Sequence, residues 1–153
     1  MGAAPTRTTE PETSPVAGGG PSARVPVVVI GAGAVGSFLG ATLALAGHDV
    51  TLLARRLTEG DWPGHVILAG ADGTSSRVPV RRVTDPSSAG EPGLVLLAVK
   101  AFDVDGALVT ASGWPAAAVL TVQNGVGAEA AARATRRSQL IAGSLTTAVE
   151  PIA

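Results

Sequence analysis

Residues 27–36 read VVVIGAGAVG, inside a stretch from Val25 to Gly47 that carries no charged side chain. That stretch of 23 residues is long enough to cross a bilayer as a helix. Gly36-x-x-x-Gly40 has the spacing of a membrane helix-dimer motif, and Ala44-Leu45-Ala46 resembles a signal-peptidase site. Length alone therefore does not decide the reading, but internal composition divides the run. Residues 25–30, VPVVVI, are β-branched and bounded by glycine, which suits a strand buried on both faces. Residues 34–46, AVGSFLGATLALA, are rich in the good helix formers Ala and Leu, and Gly47 follows as a stop. Strand, glycine turn, helix and glycine stop make a βα unit.

Further units follow at a regular spacing. HDVTLLAR predicts a second strand over Val50 to Ala54, leading straight to Arg55 and Arg56. HVILAG and SSRVPVRRV predict two short strands around the turn Ala71-Asp72-Gly73, with Pro79 making the second an edge strand or a broken one. LVLLAV at 94–99 predicts a buried strand ending at Lys100, and DVDGALVTA at 103–111 a weak helix with Gly106 inside it. AAVLTV at 117–122 predicts a strand followed by QNG, then VGAEAAARATRR at 126–137 a helix and QLIAG at 139–143 a last strand. Strands alternating with helices in this way predict a doubly wound, mostly parallel α/β sheet of Rossmann type. Cleavage after Ala46 would discard the first strand and helix and leave the remaining strands without neighbours, which favours the α/β reading over the membrane and secreted ones.

Composition agrees and excludes other classes. Residues 1–24 hold four Pro and four Gly and no Leu, Ile, Phe or Trp, too little apolar surface to offset their ordering entropy, and are expected to form a disordered tail. Residues 25–153 form the expected folded domain. Met1-Gly2 with Thr6 meets a minimal myristoylation pattern, which is too short to carry weight without a second membrane signal. A net charge of −1 and four aromatic residues (two Trp, two Phe, no Tyr) argue against nucleic acid as a partner. There is no cysteine, and His48 and His65 are too few for a zinc site, so no metal is expected. A soluble, cytoplasmic protein with no membrane partner is the expectation.

The loop itself reads Gly31-x-Gly33-x-x-Gly36 between a predicted strand and a predicted helix. In that context Gly31 permits a tight turn, Gly33 lets backbone approach a pyrophosphate, and Gly36 allows close helix packing. The helix end adds unpaired N–H groups and a positive dipole. The same spacing also occurs in turns that bind nothing. At the end of the second strand a site specific for NAD would place an acid for the ribose 2′-OH; here stand Ala54, Arg55 and Arg56. A guanidinium there suits a 2′-phosphate, so NADP(H) is the expected cofactor. Lys100 and Asn124 lie just beyond two later strands, where doubly wound folds bind ligands.

Together, IGAGAVGSFLGATLALAGHDVTLLAR, LLAVKAFD, TVQNGVG and LIAGSLTTA resemble successive blocks of the N-terminal domain of the ketopantoate reductase (2-dehydropantoate 2-reductase) family, from about Val25 to the end of the chain. The VK and QNG blocks are the more particular part. The resemblance implies NADPH-dependent reduction of 2-dehydropantoate to pantoate, a step toward pantothenate and coenzyme A. Carried over by position, Gly31, Ala32, Gly33, Ala34, Val35 and Gly36 would hold the pyrophosphate and Arg55 the 2′-phosphate. Lys100 and Asn124 would lie along the cofactor toward the nicotinamide and substrate, with Thr146 to Val149 lining the cleft.

Members of that family also carry a second, helical domain that supplies the general-acid lysine and the groups holding the substrate. That domain has no counterpart in these 153 residues, so no catalytic residue is assigned in the chain. The expectation is a fragment-like NADP-binding half with little activity alone, whose uncovered face would favour self-association or a separate helical partner. A non-catalytic NADP(H)-binding or interaction module, half of a split enzyme, and a reductase of another 2-oxo acid remain open alternatives.

Overall fold

The computed structural model describes residues 23–56, 62–123, 139–145 and 148–150. Most of the expected tail, the expected helix at 126–137, Asn124 and Thr146 lie outside them. β1 spans Pro26–Ile30, and its last four residues are buried. Glycine then turns the chain into α1, Ala34–Leu45. This helix ends in two backbone bonds, from Gly47 N–H to the Ala44 carbonyl (3.0 Å) and from His48 N–H to the Leu43 carbonyl (3.1 Å). That pairing is a Schellman motif, and Gly47 supplies the left-handed residue it needs, at φ +94°.

β2, Asp49–Leu53, pairs parallel to β1. A hairpin follows, β3 (His65–Ala69) against β4 (Ser75–Pro79), antiparallel and forming a separate two-stranded sheet. Asp72 closes its turn by accepting from the Thr74 N–H at 3.0 Å and the Thr74 hydroxyl at 2.7 Å. After Val80 the chain leaves this hairpin, and β5, Arg81–Val83, joins the main sheet parallel to β2. The predicted single strand through Pro79 is thus broken in two: the Val80 N–H still bonds the Gly64 carbonyl at 3.2 Å, and from Arg81 the chain pairs with β2 instead.

A 3₁₀ turn at Pro86–Ala89, capped by the Asp85 carboxylate, leads to β6, Leu94–Leu97. A second 3₁₀ turn, Ala101–Asp103, runs into α2, Val104–Ala111, then β7, Ala118–Thr121, and β8, Leu140–Ala142. β6 stops two residues earlier than predicted, because the Ala98 N–H makes its last bond to the Ile30 carbonyl (2.9 Å) and the chain then turns outward.

The main sheet is parallel throughout, in the order β5-β2-β1-β6-β7-β8. Chain direction across the sheet reverses between β1 and β6. Alternation along β1 divides the core into two layers. Val27 and Val29, with Val50, Leu52 and Leu96, pack under α1 and the hairpin. Val28 and Ile30, with Val95 and Leu97, pack against Val104, Leu108 and Trp114 on the opposite face. The Trp114 indole N–H donates to the Gly90 carbonyl at 2.9 Å, so a bulky ring is buried without stranding its polar atom. Among the described residues no helix is long and apolar enough to cross a membrane.

Candidate functional site

A cleft of about 970 Å³ opens along the carboxyl ends of the parallel strands, at the point where the strand order reverses. Doubly wound sheets bind ligands there because the loops from β1 and β6 run to opposite faces and leave a crevice between them.

The floor is the glycine loop, with Gly31, Ala32, Gly33, Ala34 and Val35 all lining the cleft. Gly31 has φ +107°, and a Cβ on it would stand 2.7 Å from the Ala98 carbonyl oxygen. At Gly36 a Cβ would run into the Gly31 carbonyl oxygen and come within 3.3 Å of the Ala98 Cβ. Gly33 differs from both: nothing lies within 4 Å of the place its Cβ would occupy. Two glycines are therefore required by the loop's own packing, whereas Gly33 leaves open space on the cleft floor. Gly33 is also the N-cap of α1, and no side chain caps that helix or places an acid in its first turn. The N–H groups and positive dipole end are left facing the cleft, the arrangement that binds anions.

Gly40, whose spacing from Gly36 suggested a membrane dimer motif, has an internal task. A Cβ there would meet Leu52 Cδ2 at 2.7 Å, so this glycine seats α1 on β2. The close helix packing expected of Gly36 is shared between these two positions, with Gly36 fitting the loop and Gly40 fitting the sheet.

Arginines gather at one end of the cleft. Arg55 and Arg56 follow β2, and Arg82 enters from neighbouring β5. Ala54 occupies the strand end itself, buried, with its N–H on the Val83 carbonyl at 2.9 Å. The Arg55 side chain is 84% exposed and pairs with Asp103 across the cleft, Nη1 to Oδ1 at 3.2 Å. So exposed a pair contributes only about 0–1 kcal/mol. Arg82 is held more firmly: its guanidinium lies 5.2 Å from the Trp62 ring centroid and donates to the Arg56 carbonyl at 3.3 Å.

Lys100, the sole lysine of the chain, lines the cleft just past β6 and is exposed. Gln123 lines it beyond β7, its Nε2 donating to the Leu97 carbonyl at 2.8 Å and tying the two strand ends together. Leu145 and Val149 also line the cleft, and of the expected segment Thr146 to Val149 it is Val149 that does so among the described residues. The structure thus brings Gly31 to Val35, Arg55 and Lys100 to one cleft; Gly36 does not line it and packs against the Gly31 carbonyl and Ala98, and Asn124 lies outside the described residues. Sequence reasoning missed Arg82, Asp103 and Gln123 as lining residues. Gln123 was within reach of the QNG block, and Asp103 stands three residues past Lys100. Arg82 gave no signal, since its position depends on β5 leaving the hairpin to pair with β2.

A parallel six-stranded sheet with a glycine-rich βα turn at its switch point defines a Rossmann-type α/β domain. Residues 27–151 match the ketopantoate reductase PanE/ApbA family, and the chain belongs to that family. It is 34% identical over 109 residues to a 2-dehydropantoate 2-reductase of Pyrococcus horikoshii, covering 67% of this chain and 34% of that protein. Among solved structures it is similar to a PanE/ApbA family ketopantoate reductase from Ralstonia eutropha, 33% identical, with a TM-score of 0.62 over 77% of this chain and 39% of that one. A 2-dehydropantoate 2-reductase from Geobacter metallireducens is 28% identical, with a TM-score of 0.66 over 76% and 40%. The chain spans about a third of the length of the P. horikoshii relative and of a Mesorhizobium japonicum one.

Proposed function

We propose that this chain is the NADP(H)-binding part of a 2-dehydropantoate 2-reductase. The observation that carries the reading is the cleft: an anion-ready helix end with vacant space at Gly33, and arginines in place of an acid where β2 ends. The residues present fit a dinucleotide bearing a 2′-phosphate. Gly31 to Gly36 would hold the pyrophosphate by backbone N–H groups, and Arg55, with Arg56 and Arg82 nearby, would hold the 2′-phosphate. Lys100 and Asn124 would lie toward the nicotinamide and the substrate. The cofactor, when bound, supplies the hydride that reduces a 2-oxo group to an alcohol.

Carbonyl reduction also needs a proton donor and a grip on the substrate carboxylate. Lys100, as the chain's one lysine, is the candidate to orient an anionic substrate at the cleft edge. We infer that the 153 residues alone bind cofactor but turn over slowly. Fluorescence titration of the purified chain should show NADPH binding that weakens at least tenfold in Arg55→Ala. Turnover of 2-dehydropantoate with NADPH should fall well below the ~1–10³ s⁻¹ of ordinary enzymes. Unchanged NADPH binding in Arg55→Ala would remove that residue's role, and ordinary turnover would place a full catalytic set within this chain.

A further inference from the structure

The acid absent from the end of β2 returns from another element. Asp103, on the opposite wall of the cleft, reaches Arg55 at 3.2 Å, although 48 positions separate the two in the chain. Asp103 closes the 3₁₀ turn Ala101–Asp103 and runs into α2 with helical backbone angles (φ −98°, ψ −2°), and its side chain makes no capping bond. Its carboxylate meets Arg55, the arginine that the proposed function gives to a 2′-phosphate.

Two nucleotides would meet that pair differently. A 2′-phosphate has to share the Arg55 guanidinium with Asp103 or displace it, and in either case sits as a dianion close to a carboxylate, which opposes it. A ribose 2′-OH instead finds in the carboxylate the acceptor that NAD-binding domains of this fold carry at the end of the second strand. The Arg55 side chain is exposed, so the pair exchanges readily and does not lock the cleft.

We propose that Asp103 is a specificity-determining residue that competes with the 2′-phosphate for Arg55 and accepts from a 2′-OH, narrowing the preference for NADPH over NADH. This rests on the reading of the cleft as a dinucleotide site. The test is fluorescence titration of the 153-residue chain and of D103N and D103E with NADPH and with NADH. Removing the charge in D103N should tighten NADPH about fivefold and weaken NADH about threefold, shifting their affinity ratio by roughly an order of magnitude, while D103E keeps the parent ratio. D103S provides the same loss of charge should D103N fold poorly.

A ratio unchanged within about twofold in the charge-removed variants, with NADPH still bound by the parent chain, overturns this inference and leaves the dinucleotide reading standing. A parallel loss of both affinities would reduce Asp103 to a structural tie and overturns it as well. Binding of neither nucleotide by the parent chain overturns both.

Discussion

Gly33 and Gly36 are identical in chemistry and three positions apart, yet the structure asks different things of them. Gly36 is enclosed by the Gly31 carbonyl and Ala98, whereas the space beside Gly33 is empty and faces the cleft. Gly33→Ala should therefore cost no more than about 1 kcal/mol, since an alanine fits its φ of −82° and its Cβ meets open space, leaving only the poorer N-cap. Gly36→Ala should destabilise by ~1–3 kcal/mol as the loop shifts to admit a methyl group. Both should lose NADPH affinity. A thermal melt beside a titration of each variant separates the two causes, and a marked loss of stability in Gly33→Ala would refute the assignment. The glycine pattern was legible as a pattern, because spacing is a property of the sequence. Which glycine fits the loop and which leaves room could not be read there, because Ala98 lies more than sixty residues downstream.

Short elements of this fold depend on local caps. The 3₁₀ turn between β5 and β6 starts at Asp85, whose Oδ1 accepts from the Ser87 N–H at 2.9 Å and whose Oδ2 accepts from the Ser87 hydroxyl at 2.7 Å. These bonds favour the ionised form and hold the Asp85 carboxyl below its ordinary value of 3.8. The unfolded chain thus binds this proton at higher pH than the folded one. Stability from the cap is complete above the unfolded value and is lost as pH falls through the folded value. Asp85→Asn should accordingly lower the melting temperature at neutral pH, and the gap to the parent chain should close on acidification below about pH 3.8. A gap that stays constant with pH would show that the charge plays no part. The elements were largely legible: β1, α1, β2, β6, α2, β7 and β8 fall within a residue or two of the periodicity and punctuation that announced them. The exception is the stretch around Pro79, where one predicted strand serves two sheets. Local sequence marks the break but does not say where each half pairs.

Across the whole molecule the cleft is assembled from both halves of the sheet: the β1 loop and the ends of β2 and β5 on one side, those of β6 and β7 on the other. A ligand spanning these strand ends binds the folded chain and not the unfolded one, so it must stabilise the fold. At a hundredfold excess over Kd, NADPH should add about 2.7 kcal/mol, seen as a rise of roughly ten degrees in Tm. NADH should add less at the same concentration, by the share that the 2′-phosphate contributes. No shift with either nucleotide would argue against the cleft as a dinucleotide site.

By itself, the sequence determined the class of fold and the place of its glycine turn. Burial alternation, helix-forming composition and glycine stops act over a few residues, and a run of VVVI followed by a turn and an Ala-rich segment has few other ways to bury itself. Only the tertiary structure decided what surrounds that turn. The parallel register carries Arg82 beside β2, sets Gly40 against Leu52, and swings Asp103 across the cleft onto Arg55. Each of these joins residues at least a dozen positions apart, and such contacts depend on the order of strands in the sheet, which no local pattern encodes.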